Sequence, residues 1–312
     1  HYHELCVADQ YPACHPILAS LPKLTIHSWL TALQTERLEQ KARLITQRLA
    51  LCNRNWEDAF FITLARNFGF GLNGDAFETW AGLLPFRAMD KHRNDLFQIE
   101  AFFYGLAGLL KETFLKKEQE DEYSLRLCKE FRYLQRKFEI GQGMDATLWR
   151  FLRLRPENFP HIRLAQLAYL YQKGDKLFSR LLEAETLADV RTLLDARTSP
   201  YWENHYLFVR LSSQKEKVMG ERSKDLIIIN TVVPFLYTYG LHKADERMCE
   251  RAGRFLEELK AESNHIIRSW SDAGLPVVSA ADSQALIQLQ KEYCDKRKCL
   301  YCRFGYEYLK HT

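Results

Sequence analysis

Asp95-Leu96-Phe97-Gln98-Ile99-Glu100-Ala101-Phe102-Phe103-Tyr104-Gly105-Leu106-Ala107-Gly108-Leu109-Leu110 is the stretch whose reading decides the fold. It is apolar on nearly every side, so it lacks the polar face of a surface helix and reads as a central, buried one. Asn94 or Asp95 supplies the oxygen that caps its first orphan amides.

The flanking segments repeat the helical pattern. Toward the N-terminus, Asn55 caps a helix with Trp56, Phe60, Leu64 and Ala65 apolar, ended by Phe68-Gly69-Phe70-Gly71. Asn73-Gly74-Asp75 opens a third helix that stops before Pro85, and Thr25 or Ser28 starts a long one through Leu49. Toward the C-terminus, residues 111–130 read as a solvated helix end or loop around Lys116-Lys117-Glu118-Gln119-Glu120-Asp121-Glu122. Helices fit 145–154, 160–172, 175–183, 186–195, 223–239, 244–270 and 279–294, with Asn230 and Pro234 predicting a kink. No run alternates with period two, so no sheet is expected. The predicted fold is all-α, an irregular multi-helix array with a cysteine-rich C-terminal knuckle. Residues 1–25 form an irregular lead-in, 26–196 a helical domain, 197–222 a soft boundary, and 223–312 a helical hairpin carrying the knuckle.

The 312 residues are 46% hydrophobic and 27% charged, enough to bury a sizeable core. The net charge of +4 is mild and neither demands nor excludes a polyanionic partner. No apolar window is long enough to span a membrane. His1-Tyr2-His3-Glu4 carries no initiator Met and no signal pattern, which predicts the C-terminal part of a longer protein. The eight cysteines are too sparse for a secreted disulfide framework, which points to a reducing, cytoplasmic setting.

Cys294-Asp295-Lys296-Arg297-Lys298-Cys299-Leu300-Tyr301-Cys302 is the most specific chemical signal. The two-residue spacing from Cys299 to Cys302 aims both sulfurs at one point, as in a metal knuckle. Zinc or an iron–sulfur cluster needs a fourth ligand, for which Cys14 and Cys249 are the candidates. Three unmetallated thiols at a helix end are the alternative. A four-thiolate site has no open position, so its role would be structural.

A second signal is basic. Trp149 to Arg163 contains Arg150, Arg153, Arg155 and Arg163 against Glu157, with His161 and interleaved aromatics. Guanidinium groups among aromatic rings suit phosphates and stacked bases. The alternative is a core-facing helix whose arginines pair with acidic neighbours. Lys291 to Thr312 adds six Lys/Arg against three Asp/Glu, net +3. Arg66 lies in Arg66-Asn67-Phe68-Gly69, which follows a helix and so is no dinucleotide fingerprint.

Tyr11-Pro12-Ala13-Cys14, Ala65 to Gly69, Arg153-Leu154-Arg155-Pro156-Glu157-Asn158-Phe159-Pro160-His161, Ser199-Pro200-Tyr201-Trp202, Asn230 to Pro234, Ser283 to Leu289 and the cysteine cluster together resemble a bacterial family. It is found mainly in Bacteroidetes and known as domain of unknown function 2851. The resemblance covers essentially the whole chain, which looks like the family's C-terminal helical part. It implies an additional N-terminal region with an acidic pattern similar to restriction-type nuclease folds, and it carries over no catalytic residue. Arg66, the Arg153–His161 segment and the cysteines belong to its motifs. The resulting expectation is a non-catalytic helical module that supports that region, contacts nucleic acid and holds a structural metal. The rivals are an enzyme with a pocket lined by Arg66, Arg153, His161 and His205, and an interaction scaffold without metal.

Overall fold

The computed structural model describes residues 14–110 and 121–311; Cys6 and residues 116–120 of the charged run lie outside the described residues. The fold is all-α, an irregular array of helices, with one small hairpin pairing His205–Leu207 with Arg210–Leu211 among the described residues. The period-two rule missed the hairpin because its strands of three and two residues are too short to show a period. No described helix is long and apolar enough to cross a membrane. The chain forms two compact units: His1–Gln47 with Val232–Thr312, and Arg48–Thr231. Residues 197–222 lie within the second.

The second unit is built around the helix Leu96–Leu106, whose Ile99, Ala101, Phe102, Phe103 and Tyr104 are wholly buried. Asp95 caps it by accepting from the Gln98 amide at 3.2 Å. At its end the Phe103 carbonyl accepts from the Ala107 amide at 2.9 Å and the Gly105 carbonyl from the Gly108 amide at 3.0 Å. Two indoles bond the same end from the side: Trp80 Nε1 donates to the Phe103 carbonyl at 3.0 Å and Trp149 Nε1 to that of Ala107 at 2.9 Å. The chain leaves at Gly108, whose φ of +73° and close approach to the Met144 carbonyl exclude a side chain. Asn55 caps Trp56–Phe68 as expected, accepting from the Glu57 and Asp58 amides.

Two expectations fail here. Residues 121–130, the described part of the run 111–130, are not a solvated end: Asp121 caps the helix Glu122–Phe138, which buries Leu127, Phe131 and Leu134. Its charged residues form only the outer face, and the density of charge hid the apolar stripe. Residues 145–154 are not an α-helix either. They make a short 3-10 turn at Ala146–Leu148 and then run irregularly, with Arg153 at φ +65°. Long-range bonds override local propensity. The Arg150 backbone is held on both sides by the Asn73 side chain, at 2.8 and 2.9 Å, and Pro156 disfavours helix at Arg155.

In the first unit the expected helix over 244–270 is two, Glu246–Glu258 and His265–Asp272. Between them the chain pairs with the segment before Ala280–Gln288: Ala280 N donates to the Leu259 carbonyl at 2.7 Å and Ala261 N to that of Val278 at 3.2 Å. Asn264 then caps the second piece through the Ile267 amide at 3.0 Å. Ser279 and Asp282 form a capping box that starts Ala280–Gln288. The long helix Lys23–Leu51 meets this segment along a polar seam. Lys41 Nζ donates to Gln284 Oε1 at 2.7 Å, Gln288 Nε2 to Glu36 Oε1 at 3.1 Å, and the Tyr293 hydroxyl to Glu36 Oε2 at 2.8 Å. The seam pairs Gln284 and the amide nitrogen of Gln288, buried at 3% and 1% exposure, while Gln288 Oε1 makes no hydrogen bond among the described residues.

Candidate metal centre

The cysteine motif is shaped by a π-helical turn at Leu289–Cys294 and a tight loop. Arg297 N donates to the Cys294 carbonyl at 3.0 Å and Lys298 N to that of Tyr293 at 2.8 Å, with Arg297 in the left-handed region at φ +51°. A 3-10 turn at Cys299–Tyr301 follows, and Cys302 leads into the helix Arg303–His311. Gly305 lets this helix close onto the turn: a Cβ there would lie 2.3 Å from the Cys299 carbonyl oxygen. At the other end of the described chain, Cys14 precedes the short helix His15–Leu18.

Tertiary packing brings these ends together. Cys14 and Cys302, 8% and 6% exposed, belong to one apolar core with Leu18, Trp270 and Phe304, and Cys294 and Cys299 pack against it. Burial raises the Cys14 thiol far above the usual range, and the charges of Cys302, Cys294 and Cys299 raise it further. Burial likewise raises Cys302, opposed by the backbone N–H groups of Gly305 and Phe304. Trp29 Nε1 is buried, makes no well-formed hydrogen bond, and lies near enough to the Cys302 sulfur to favour its thiolate. Backbone amides gathered around a sulfur are a feature of thiolate-ligand sites.

Among the described residues, no three His, Cys, Asp or Glu side chains form a ready-made ligand set for a single ion. The mutual influence of the four sulfurs is compatible with that, because electrostatic effects reach beyond a ligand shell. Sulfurs each 2.3 Å from zinc would stand roughly 3.8 Å apart. The four thiols therefore share a neighbourhood, and no three of them stand as a ligand set among the described residues.

Cys249 is placed elsewhere. It lies against Gly240, with its thiol 3.6 Å from the Tyr237 carbonyl, and the charges acting on it are those of Asp245 and Glu246. The break after Glu258 removes the long hairpin that made it a candidate.

The basic residues separate. Arg66 is in an ion-pair network with Asp75 at 2.7 Å and with Glu78, which also pairs Arg48. Arg163 is buried, donating to Gln166 at 2.8 Å and Asn158 at 2.5 Å and lying 4.4 Å over the Phe70 ring. Burial lowers its pKa to about 10. His161 is buried among Tyr104, Phe151, Trp202 and Phe208, and burial lowers its pKa to about 3. Arg150, Arg153 and Arg155 are exposed, but with no helix at 145–154 the first two do not share a helical face. Sequence reasoning missed Trp29 and the amides of Phe304 and Gly305 around Cys302. No spacing rule connects positions so far apart in the chain.

The chain belongs to the family described as Protein of unknown function (DUF2851), whose model matches residues 1–265. The matched span includes Cys14 and ends before Cys294. No curated protein and no solved structure matches the chain.

Proposed function

We propose that this chain is a non-catalytic helical module whose first unit is fastened by a metal ion or iron–sulfur cluster on Cys14, Cys294, Cys299 and Cys302. It would work in a reducing cytoplasm, in support of a further N-terminal domain of the same protein. The observation that carries the reading is the meeting of Cys14 with a motif some 280 residues away in one apolar core. Four thiols crowded into such a core resist ionising together, and a bound cation relieves their repulsion. Once bound, four thiolates leave no position for a substrate, so the centre serves folding. It would pin the segment at Cys14 to the last helix, where neither short helix holds itself.

The test is elemental analysis with a visible spectrum of anaerobically purified protein. The expected result is zinc or iron near stoichiometry, with iron accompanied by charge-transfer absorption. Cys14→Ser and Cys302→Ser should lower the metal content, and Cys249→Ser should not. Metal-free protein with titratable thiols and an unchanged thermal midpoint in the serine variants would remove the centre.

A further inference from the structure

We propose that the loop between Cys294 and Cys299, with the groove beside it, is a docking surface for a single-stranded nucleic acid. It rests on the thiolate-centre reading in one respect: both ends of the loop are ligands, so a loaded centre holds the loop rigid.

The loop presents positive charge outward. Lys296, Arg297 and Lys298 are all exposed. Lys296 leans on Glu292 at 2.6 Å, an exposed ion pair of the kind that contributes little. Arg297 and Lys298 have no carboxylate at ion-pair distance among the described residues. The two backbone bonds across the turn and the left-handed Arg297 hold these cations on the outside of a tight curve.

Aromatic surface adjoins the charge. A groove of about 620 Å³ is lined by Trp29, Leu300, Tyr301, Arg303 and Tyr306, among others, and no carboxylate of the described residues lines it. Tyr301 is 79% exposed and Tyr306 53%, high values for tyrosine rings. Arg303 is tied to Glu307 at 2.7 Å, which fixes it over the first turn of its helix.

Charge chooses the occupant. From Asp295 to Arg303 the chain has four Lys/Arg against one Asp; Lys296 and Arg303 pair with Glu292 and Glu307, which leaves Arg297 and Lys298 as the cations open to a polyanion. Cations flanking exposed rings fit a strand whose phosphates pair with the one and whose bases stack on the other. A duplex buries its base faces and could not use the rings. The arginine-rich turn is the poorer surface, because Arg163 and His161 are interior and engaged in the core.

The experiment is fluorescence anisotropy of a labelled oligothymidylate against the whole chain across a salt series, with metal content and thermal midpoint measured on the same samples. Arg297→Glu with Lys298→Glu should weaken binding at least tenfold. It should also flatten the slope of log K against log salt by about 1.4, two phosphates at ~0.7 each. Tyr301→Ala should weaken it about tenfold through lost stacking. Both variants should keep their metal and their midpoint.

Unchanged affinity in the variants, no binding by the parent at low salt, or equal binding of duplex would overturn the proposal. Capture of polyglutamate as tightly as oligothymidylate would point to an acidic protein segment and would also overturn it. The two readings fail separately. Metal-free protein that binds the strand through these residues removes only the thiolate centre, whereas metal-loaded protein that ignores the strand removes only the docking surface.

Discussion

Asn67 donates its side-chain amide to the Thr231 hydroxyl at 2.8 Å and, in the same stroke, to the Asn230 carbonyl at 3.1 Å. The π-helical turn at Ile228–Val232 explains the need. Pro234 has no N–H to return to the preceding turn, and Asn230 bonds its own amide back to the Leu226 carbonyl at 3.0 Å. The Asn230 carbonyl, to which Pro234 offers no N–H, accepts from Asn67. Asn67→Ala should cost about 1–3 kcal/mol, the penalty for orphaning buried polar groups. Urea denaturation checks it, and an unchanged midpoint would show that water replaces the amide without loss.

Glu100 is a fully buried carboxyl that accepts from Ser199 Oγ at 2.9 Å and from the Tyr123 hydroxyl. Burial raises its pKa from 4.5 to about 7, only partly opposed by those donors. The folded state therefore holds a proton that the unfolded state releases. Stability from this group is full below pH 4.5 and is lost as pH rises to about 7, an effect on the order of 3 kcal/mol. His161 acts the other way. Its folded pKa is lowered to about 3, so its contribution is present above 6.5 and is lost as pH falls toward that value. Glu100→Gln should abolish the decline between pH 5 and 7 and leave the acid limb intact. Parallel pH profiles for the variant and the parent would refute the assignment.

Gly105 faces the ring of Phe131, which would lie 2.3 Å from an added Cβ. Gly105→Ala must push the helix Glu122–Phe138 outward, at a cost of about 1–3 kcal/mol despite the better helix propensity of alanine. Thermal melting should show the drop. Phe131→Leu in the same chain should return part of it, since the smaller side chain frees the space. A Gly105→Ala variant as stable as the parent would mean that the ring moves at no cost.

The helices were legible where local pattern and cap agree. Asp95 and Asn55 sit one residue before their apolar runs and make the predicted bonds. Arg150 and Arg153 were misread because their helical spacing is real while the helix is absent: Asn73, distant in sequence, claims the Arg150 backbone. The candidate centre was legible as three cysteines and ambiguous in the fourth. Spacing describes how a short segment turns, and it says nothing about which remote cysteine arrives there.

The sequence alone determined the class of structure and the chemistry available, since capping oxygens, apolar periodicity and cysteine spacing act within a few residues of themselves. Tertiary structure alone decided that Cys14 and not Cys249 meets Cys302, and that His161 and Arg163 turn inward. It also decided that Arg297 and Tyr301 remain on the outside. Those outcomes depend on which apolar faces bury one another across hundreds of residues, a competition between contacts that no local window contains.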